Sequence, residues 1–137
     1  MGCMLSAASC NKWLCDDILK TTDYAGEQRD ITREKLGNNR VYFLPYLMGE
    51  PYLMRERSPI NDTNARGTFI GMTMDTSRSD LVQAVLEGVA FAIRDSLEVA
   101  KSLGISIPTS KLCGGGRKPS GGGGVCSGAG PGTDCPV

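Results

Sequence analysis

The sequence predicts an α/β domain, a sheet with helices packed on it. Three observations lead there. Segments with helical and strand-like apolar spacing alternate along the chain. A long apolar stripe recurs every four residues from Leu81 to Leu97. A short strand candidate, Lys111-Leu112-Cys113, then runs straight into the triplet Gly114-Gly115-Gly116.

Taken in order, residues 4 to 20 read as a helix, with Leu5, Ala8, Leu14 and Ile18 on one side and Trp13 beside them. Thr21-Thr22-Asp23 offers capping groups for a second helix running through Glu34-Lys35-Leu36. Gly37-Asn38-Asn39 supplies a stop and a turn. Val41-Tyr42-Phe43-Leu44 is a short strand, closed by Pro45, which has no N–H to give a sheet ladder.

Pro45-Tyr46-Leu47-Met48-Gly49-Glu50 is followed at once by the near-copy Pro51-Tyr52-Leu53-Met54-Arg55-Glu56. One six-residue repeat is no solenoid, whose periods begin at about 20 residues. It reads as a local duplication tolerable in a surface loop, or as a sequencing slip. Residues 57 to 66 are polar and turn-rich around Pro59, Asn61, Asp62 and Asn64. Gly67 to Met72 forms the next strand, with a glycine near each end.

Ser77-Arg78-Ser79-Asp80 has the capping-box pattern. From it, Leu81, Val85, Val89, Ile93 and Leu97 form the stripe, widened by Leu86 and Ala90. Arg78, Glu87, Arg94, Asp95, Glu98 and Lys101 fall mostly away from it. Gly104 ends this helix, spanning about 78 to 103, and Pro108 prevents its return. Residues 117 to 137 are rich in Gly, Pro and Ser, and their few apolar residues show no period. Such a segment buries too little surface to offset its ordering entropy, so disorder is expected.

Composition narrows the function classes. A chain of 137 residues has room for one core. Lys+Arg 15 against Asp+Glu 15 leaves no net charge and no basic stripe, so no nucleic-acid partner is expected. No apolar run is long enough to cross a bilayer, and no membrane partner is expected. The opening Met1-Gly2-Cys3-Met4-Leu5-Ser6 fits a myristoylation pattern that arises often by chance. It runs into a helix that needs its first turn for packing. Lys12, Asp16 and Asp17 weigh against a secretory signal. With six cysteines, no histidine and no C-x-x-C pair, no metal site is expected. Reduced structural thiols in a cytoplasmic protein are the plainer reading.

The residues also carry a resemblance. Gly67-Thr68-Phe69-Ile70-Gly71-Met72, then seven residues, then Asp80-Leu81-Val82-Gln83-Ala84-Val85-Leu86-Glu87 are similar to the second signature of the FGGY carbohydrate kinases. Glu56 to Gly67 resembles the segment before that signature in the family's xylulokinase branch, rather than the aromatic-rich version of its glycerol kinases. Residues 1–116 therefore resemble part of the C-terminal domain of such a kinase, and 117–137 form a separate tail.

That resemblance implies an incomplete actin-like, ribonuclease H-like ATPase domain. The implied activity is phosphoryl transfer from ATP, with Mg²⁺, to a ketopentose such as D-xylulose; glycerol and ribulose are possible alternatives. It implies small-molecule partners, sugar and ATP. Gly114, Gly115 and Gly116 match the family's glycine turn, whose backbone approaches the adenosine and phosphates of ATP. It is no Walker A loop, because no Gly-Lys-Ser/Thr follows. Gly67 and Gly71 would permit close backbone approach, and Leu81, Val85 and Val89 would bury the helix. The implied catalytic aspartate and sugar site belong to the other domain, so no catalytic residue is expected in this chain. Asp62, Asp75 and Asp80 read as turn or capping residues. The chain by itself is expected to be inactive, either a nucleotide-binding module or an interaction fragment.

The resemblance breaks where the family continues its glycine turn into an apolar helix. This chain has Arg117-Lys118-Pro119-Ser120-Gly121 instead. A frameshift near residue 116 would produce that change, and reading the nucleotides in the other frames tests it.

Overall fold

The computed structural model describes residues 7–32, 34–47, 62, 64–107, 109–110 and 135–136. Among them the order is α1 (Ala7–Trp13), a π-helical turn (Leu14–Ile18), α2 (Tyr24–Glu27), β1 (Tyr42–Leu44), β2 (Thr68–Ile70), α3 (Arg78–Ser102), β3 (Thr109–Ser110) and β4 (Cys135–Pro136). β1 and β2 pair antiparallel, with Tyr42 opposite Ile70, Phe43 opposite Phe69 and Leu44 opposite Thr68. β3 and β4 form a second antiparallel pair. The composition of the tail did not predict β4; the segment between these strands, with the expected strand at Lys111-Leu112-Cys113, lies outside the described residues.

α3 forms where the capping box places its start. Ser77 is extended (φ −85°, ψ 164°), and its hydroxyl accepts from the Asp80 N–H. The Asp80 carboxylate accepts in return from the Ser77 N–H at 2.8 Å. Two of the donors that a helix start leaves unpaired are thereby satisfied. At the far end Gly104 takes φ 80°, the left-handed conformation that closes helices.

The buried face of α3 differs from the sequence expectation. It is centred on Val82, Ala84, Val85, Gly88 and Ala92, with Gln83 and Glu87 also inside. Leu81, Leu86 and Val89 flank it, half-buried. Of the expected stripe, Val85 is central and fully buried, while Leu81 and Val89 form the rim. Glu87, expected to face away, is only 6% exposed. The reason lies across the interface. Gly88 lets β1 come so close that a β-carbon on it would overlap the Phe43 carbonyl oxygen. The helix therefore rolls its smallest residue onto the strand.

The first helix also departs from expectation. After Trp13 it widens into π geometry, with the Leu19 N–H donating to the Leu14 carbonyl at 2.8 Å. An inserted π turn rotates the face that follows. Cys10, Leu14 and Cys15 are buried, while Ala8 and Ile18 are exposed. The second expected helix shrinks to one turn, where Asp23 caps the Gly26 N–H at 2.9 Å. So short a helix has little cooperative support, and the chain continues through turns to Gly37, which takes φ 77°.

The core joins these pieces. Cys10, Leu14, Val41, Phe43, Val82, Ala84 and Val85 form one buried cluster. Phe43 stands between Trp13 and Phe69, at ring-centre distances of 6.3 and 4.6 Å. Each fully buried Val, Leu or Phe contributes about 1.5–3 kcal/mol. Phe43 thus holds the helical N-terminal segment, the sheet and α3 together.

Candidate functional site

Where the sheet meets the start of α3, three segments enclose an open groove of about 360 Å³. Glu34 to Val41 form one wall, Gly71 to Thr76 the other, and Asp80 and Gln83 the floor. The walls have a sequence origin. Gly71 takes φ 86°, and a β-carbon there would overlap the Arg40 carbonyl, so only glycine turns the chain this tightly beside β1. Gly67, the other glycine singled out in the sequence, packs against the Leu47 side chain.

Polar side chains fix the groove's first wall to α3. Gln83 Nε2 donates to the Lys35 carbonyl at 2.7 Å and to Glu87 Oε1 at 2.7 Å. The same Glu87 oxygen accepts from the Gly37 N–H at 2.9 Å. Asn39 Nδ2 donates to the Asp80 carbonyl at 2.8 Å. The turn at residues 34–38 is therefore held on a buried amide–carboxylate pair. Replacing either member leaves a buried polar group without its partner, the costly outcome.

The start of α3 is tied back to the N-terminal segment as well. Arg78 donates to both carboxylate oxygens of Glu27, at 2.8 and 2.6 Å, and to the Leu19 carbonyl at 3.1 Å. This two-pronged geometry fixes direction as well as distance.

The electrostatics are local. The Asp80 carboxyl is held below its ordinary value, first by the Ser77 N–H, then by the Ser77 hydroxyl, with Lys35 adding charge attraction. Tyr24 donates to Asp16 at 2.5 Å, which, with its surroundings, pushes its phenol up to about 12. Burial, then the Glu27 carboxylate, raises the Cys15 thiol. Cys10 and Cys15 are both buried, consistent with structural use.

Cationic Lys35 and Arg40 alternate around the groove with anionic Glu34, Asp75 and Asp80. Such a lining positions backbone; it gathers neither a paired-carboxylate acid–base site nor a uniform phosphate cradle. Asp62 accepts from the Asn64 N–H at 2.8 Å, and Asp80 caps α3, as their sequence contexts predicted. Asp75 stands in the groove wall. Among the described residues no group of three or more Cys, Asp or Glu is placed to hold a metal ion. Nor is any helix among them long and apolar enough to cross a membrane. Gly114, Gly115 and Gly116 lie outside the described residues.

The sequence reading missed Gln83, Glu87 and Gly88. A signal existed for the last. Glycine inside a strong helix costs roughly 1 kcal/mol against alanine, so its presence there points to a close packing contact. Gln83 and Glu87 sit four apart, an ordinary surface pairing until the 34–38 turn covers it.

Comparison with known proteins adds the wider context. Residues 1–121 match the model of the FGGY family of carbohydrate kinases, C-terminal domain. A xylulose kinase of Staphylococcus xylosus is 35% identical over 118 residues, and one of Escherichia coli K12 is 37% identical over 122. Each match takes in 86% of this chain and 23% of the relative, so the chain spans about a quarter of the length of these curated relatives. A glycerol kinase of Enterococcus faecalis is 36% identical over 117 residues, covering 83% of this chain and 22% of that protein. Among solved structures, a xyloylose kinase from Brucella ovis superposes with TM-score 0.65 at 45% identity, over 78% of this chain and 20% of that one. The xylulose kinase of Bifidobacterium adolescentis gives TM-score 0.59 at 36% identity, over 74% of this chain and 19% of that one.

Proposed function

Because this chain belongs to the FGGY family of carbohydrate kinases, by its match to the C-terminal domain, we propose that it serves phosphoryl transfer from ATP to a ketopentose, D-xylulose in the first place. The observation that carries the substrate is the likeness to xylulose kinases in both sequence and structure, up to 45% identity. The glycerol kinase match keeps glycerol as the second reading.

The chain's own contribution is to hold one wall of the nucleotide cleft. Phosphoryl transfer needs little covalent help from a protein and depends on positioning and charge stabilisation. α3 is locked to β1 at Gly88, to the 34–38 turn through Gln83 and Glu87, and to α2 through Arg78. That rigid body sets where the chain leaves α3, at Leu103 to Ile107, on its way to Gly114, Gly115 and Gly116. We assign these three glycines to backbone contact with the adenosine and phosphates of ATP. Lacking side chains, they let the nucleotide approach main-chain N–H groups. Mg²⁺ would accompany ATP, and no step given to these residues runs through it. The accepting hydroxyl, the base that activates it and the sugar pocket are assigned to the rest of the kinase.

A chimera tests this reading. The matching stretch of the Escherichia coli xylulose kinase is replaced by residues 1–116 of this chain, and ADP release is followed with D-xylulose and with glycerol. The expected result is D-xylulose-dependent turnover that falls at least tenfold when Gly115 is replaced by valine. A folded chimera without turnover, or one indifferent to Gly115→Val, overturns the assignment. The 137-residue chain alone is expected to release no ADP with either acceptor.

A further inference from the structure

The first copy of the repeated hexapeptide is seated in the core immediately after β1. Pro45 and Tyr46 are buried, Tyr46 at 8% exposure, and Leu47 packs against the core cluster. The Cys10 thiol donates to the Pro45 carbonyl at 3.6 Å. Gly67, just before β2, lies so close to Leu47 that a β-carbon there would overlap the leucine side chain. The seat is thus built by α1, by the end of β1 and by the residue that leads into β2.

Every side chain that fills the seat has a duplicate six positions further on. Pro45-Tyr46-Leu47-Met48 recurs as Pro51-Tyr52-Leu53-Met54, and the hexapeptides differ only where Arg55 stands in place of Gly49. The core therefore meets the same side chains in the same order from either copy. One copy is seated and the other left out each time, so the apolar surface removed from water at the seat is equal in both arrangements. The connections are what differ. With the first copy seated, residues 48–66 join the seat to Gly67. With the second seated, that connection shortens to residues 54–66, and residues 45–50 become an excursion between Leu44 and Pro51. Closure entropy changes slowly with loop length, and compact loops of this size with neighbouring ends are an established class. The excursion must still turn back on itself, a requirement the first arrangement does not have. The first copy is therefore the resident one.

We propose that the two copies are interchangeable occupants of one core seat, and that the chain exchanges between two registers. Pro45–Leu47 fills the seat in the populated register, and Pro51–Leu53 fills it in the reserve. The exchange moves a hexapeptide from the β2 side of the seat to the β1 side and leaves β1, β2 and α3 in place. A change that weakens the resident copy shifts the population toward the reserve by the difference it makes between the two registers. The device needs only the seat and the repeat, and it stands apart from the kinase reading.

The test is fluorine NMR of the 137-residue chain carrying fluorotyrosine at Tyr24, Tyr42, Tyr46 and Tyr52, with a soluble gadolinium chelate to mark exposed rings. Each signal is assigned by its own phenylalanine variant. In the unaltered chain Tyr46→Phe is expected to remove a shielded signal that Tyr52→Phe leaves in place. The variant Tyr46→Ala with Leu47→Ala is expected to fold and to regain a shielded signal at that position, which a further Tyr52→Phe removes. A first-copy variant that does not fold, or that folds without Tyr52 becoming shielded, overturns the proposal.

Thermal melts read the same exchange independently. Tyr52→Ala with Leu53→Ala should leave the melting temperature of the unaltered chain unchanged. Added to the first-copy variant, the same pair should lower it by several degrees, and a combined variant that no longer folds counts as that loss. Additive effects overturn the proposal, as does a second-copy variant that by itself fails to fold.

Discussion

Gly88 of α3 lies against the Phe43 carbonyl of β1 at a separation that no side chain survives. This contact sets how closely helix and sheet pack, and therefore which face of α3 is buried. Gly88→Ala should destabilise the chain by about 1–3 kcal/mol, the usual cost of forcing a methyl group into a packed interface. Alanine's better helix propensity, worth about 1 kcal/mol, would raise stability if the contact were absent. Urea denaturation reads the sign directly. A higher midpoint for Gly88→Ala would show that helix and strand do not meet there.

Glu87 serves two donors inside the body. Glu87→Ala leaves the Gly37 N–H unpaired and the Gln83 amide with only the Lys35 carbonyl, and should cost about 1–3 kcal/mol. Gln83→Ala should cost less, because it removes donors and leaves Glu87 its bond to Gly37. A double-mutant cycle between them is expected to show a coupling of about 0.5–3 kcal/mol. Additive effects would mean that the pair does not act as a unit.

Ser77→Ala removes the cap of α3 and should lower stability by about 1 kcal/mol. The pH dependence follows from Asp80. Its carboxyl is depressed in the folded chain, so its contribution is present above the unfolded value of about 4 and is lost as pH falls through the lower folded value. Asp80→Asn should therefore flatten the acid limb of the stability curve between about pH 4 and the acid transition. The unfolding midpoint measured at stepwise lower pH checks this. An unchanged acid limb would disconnect Asp80 from the cap.

Tyr24 provides a spectroscopic marker of the N-terminal segment. Its phenol donates to Asp16 and ionises at about 12 in the folded chain. Because the folded value is raised, this bond's contribution is complete below about pH 10, the unfolded value, and is lost as pH rises through the folded one. Absorbance at 295 nm should show a phenolate step near pH 12, and Tyr24→Phe should remove it. Persistence of that step in Tyr24→Phe would place the bond elsewhere.

What the sequence determined by itself was local. The capping box at Ser77 and Asp80, the stop at Gly104, the turn at Gly37 and the two strand segments all depend on residues within one helical turn or one strand of each other. The family signature was legible for the same reason, being a set of positions at fixed short spacing. Tertiary structure decided the rest. The antiparallel pairing of β1 with β2 closes over an intervening stretch far longer than a tight hairpin turn, so its turn residues do not announce which strands pair. The roll of α3 depends on which helical residue is small enough to meet the Phe43 carbonyl. The burial of Glu87 depends on a turn some 50 residues earlier in the chain. The π turn after Trp13 opens with Leu14, buried in a core that also takes Phe43 from β1 and Val82, Ala84 and Val85 from α3. Apolar spacing tells a helix that it has a buried side, but the atoms on the other side of the interface choose its centre.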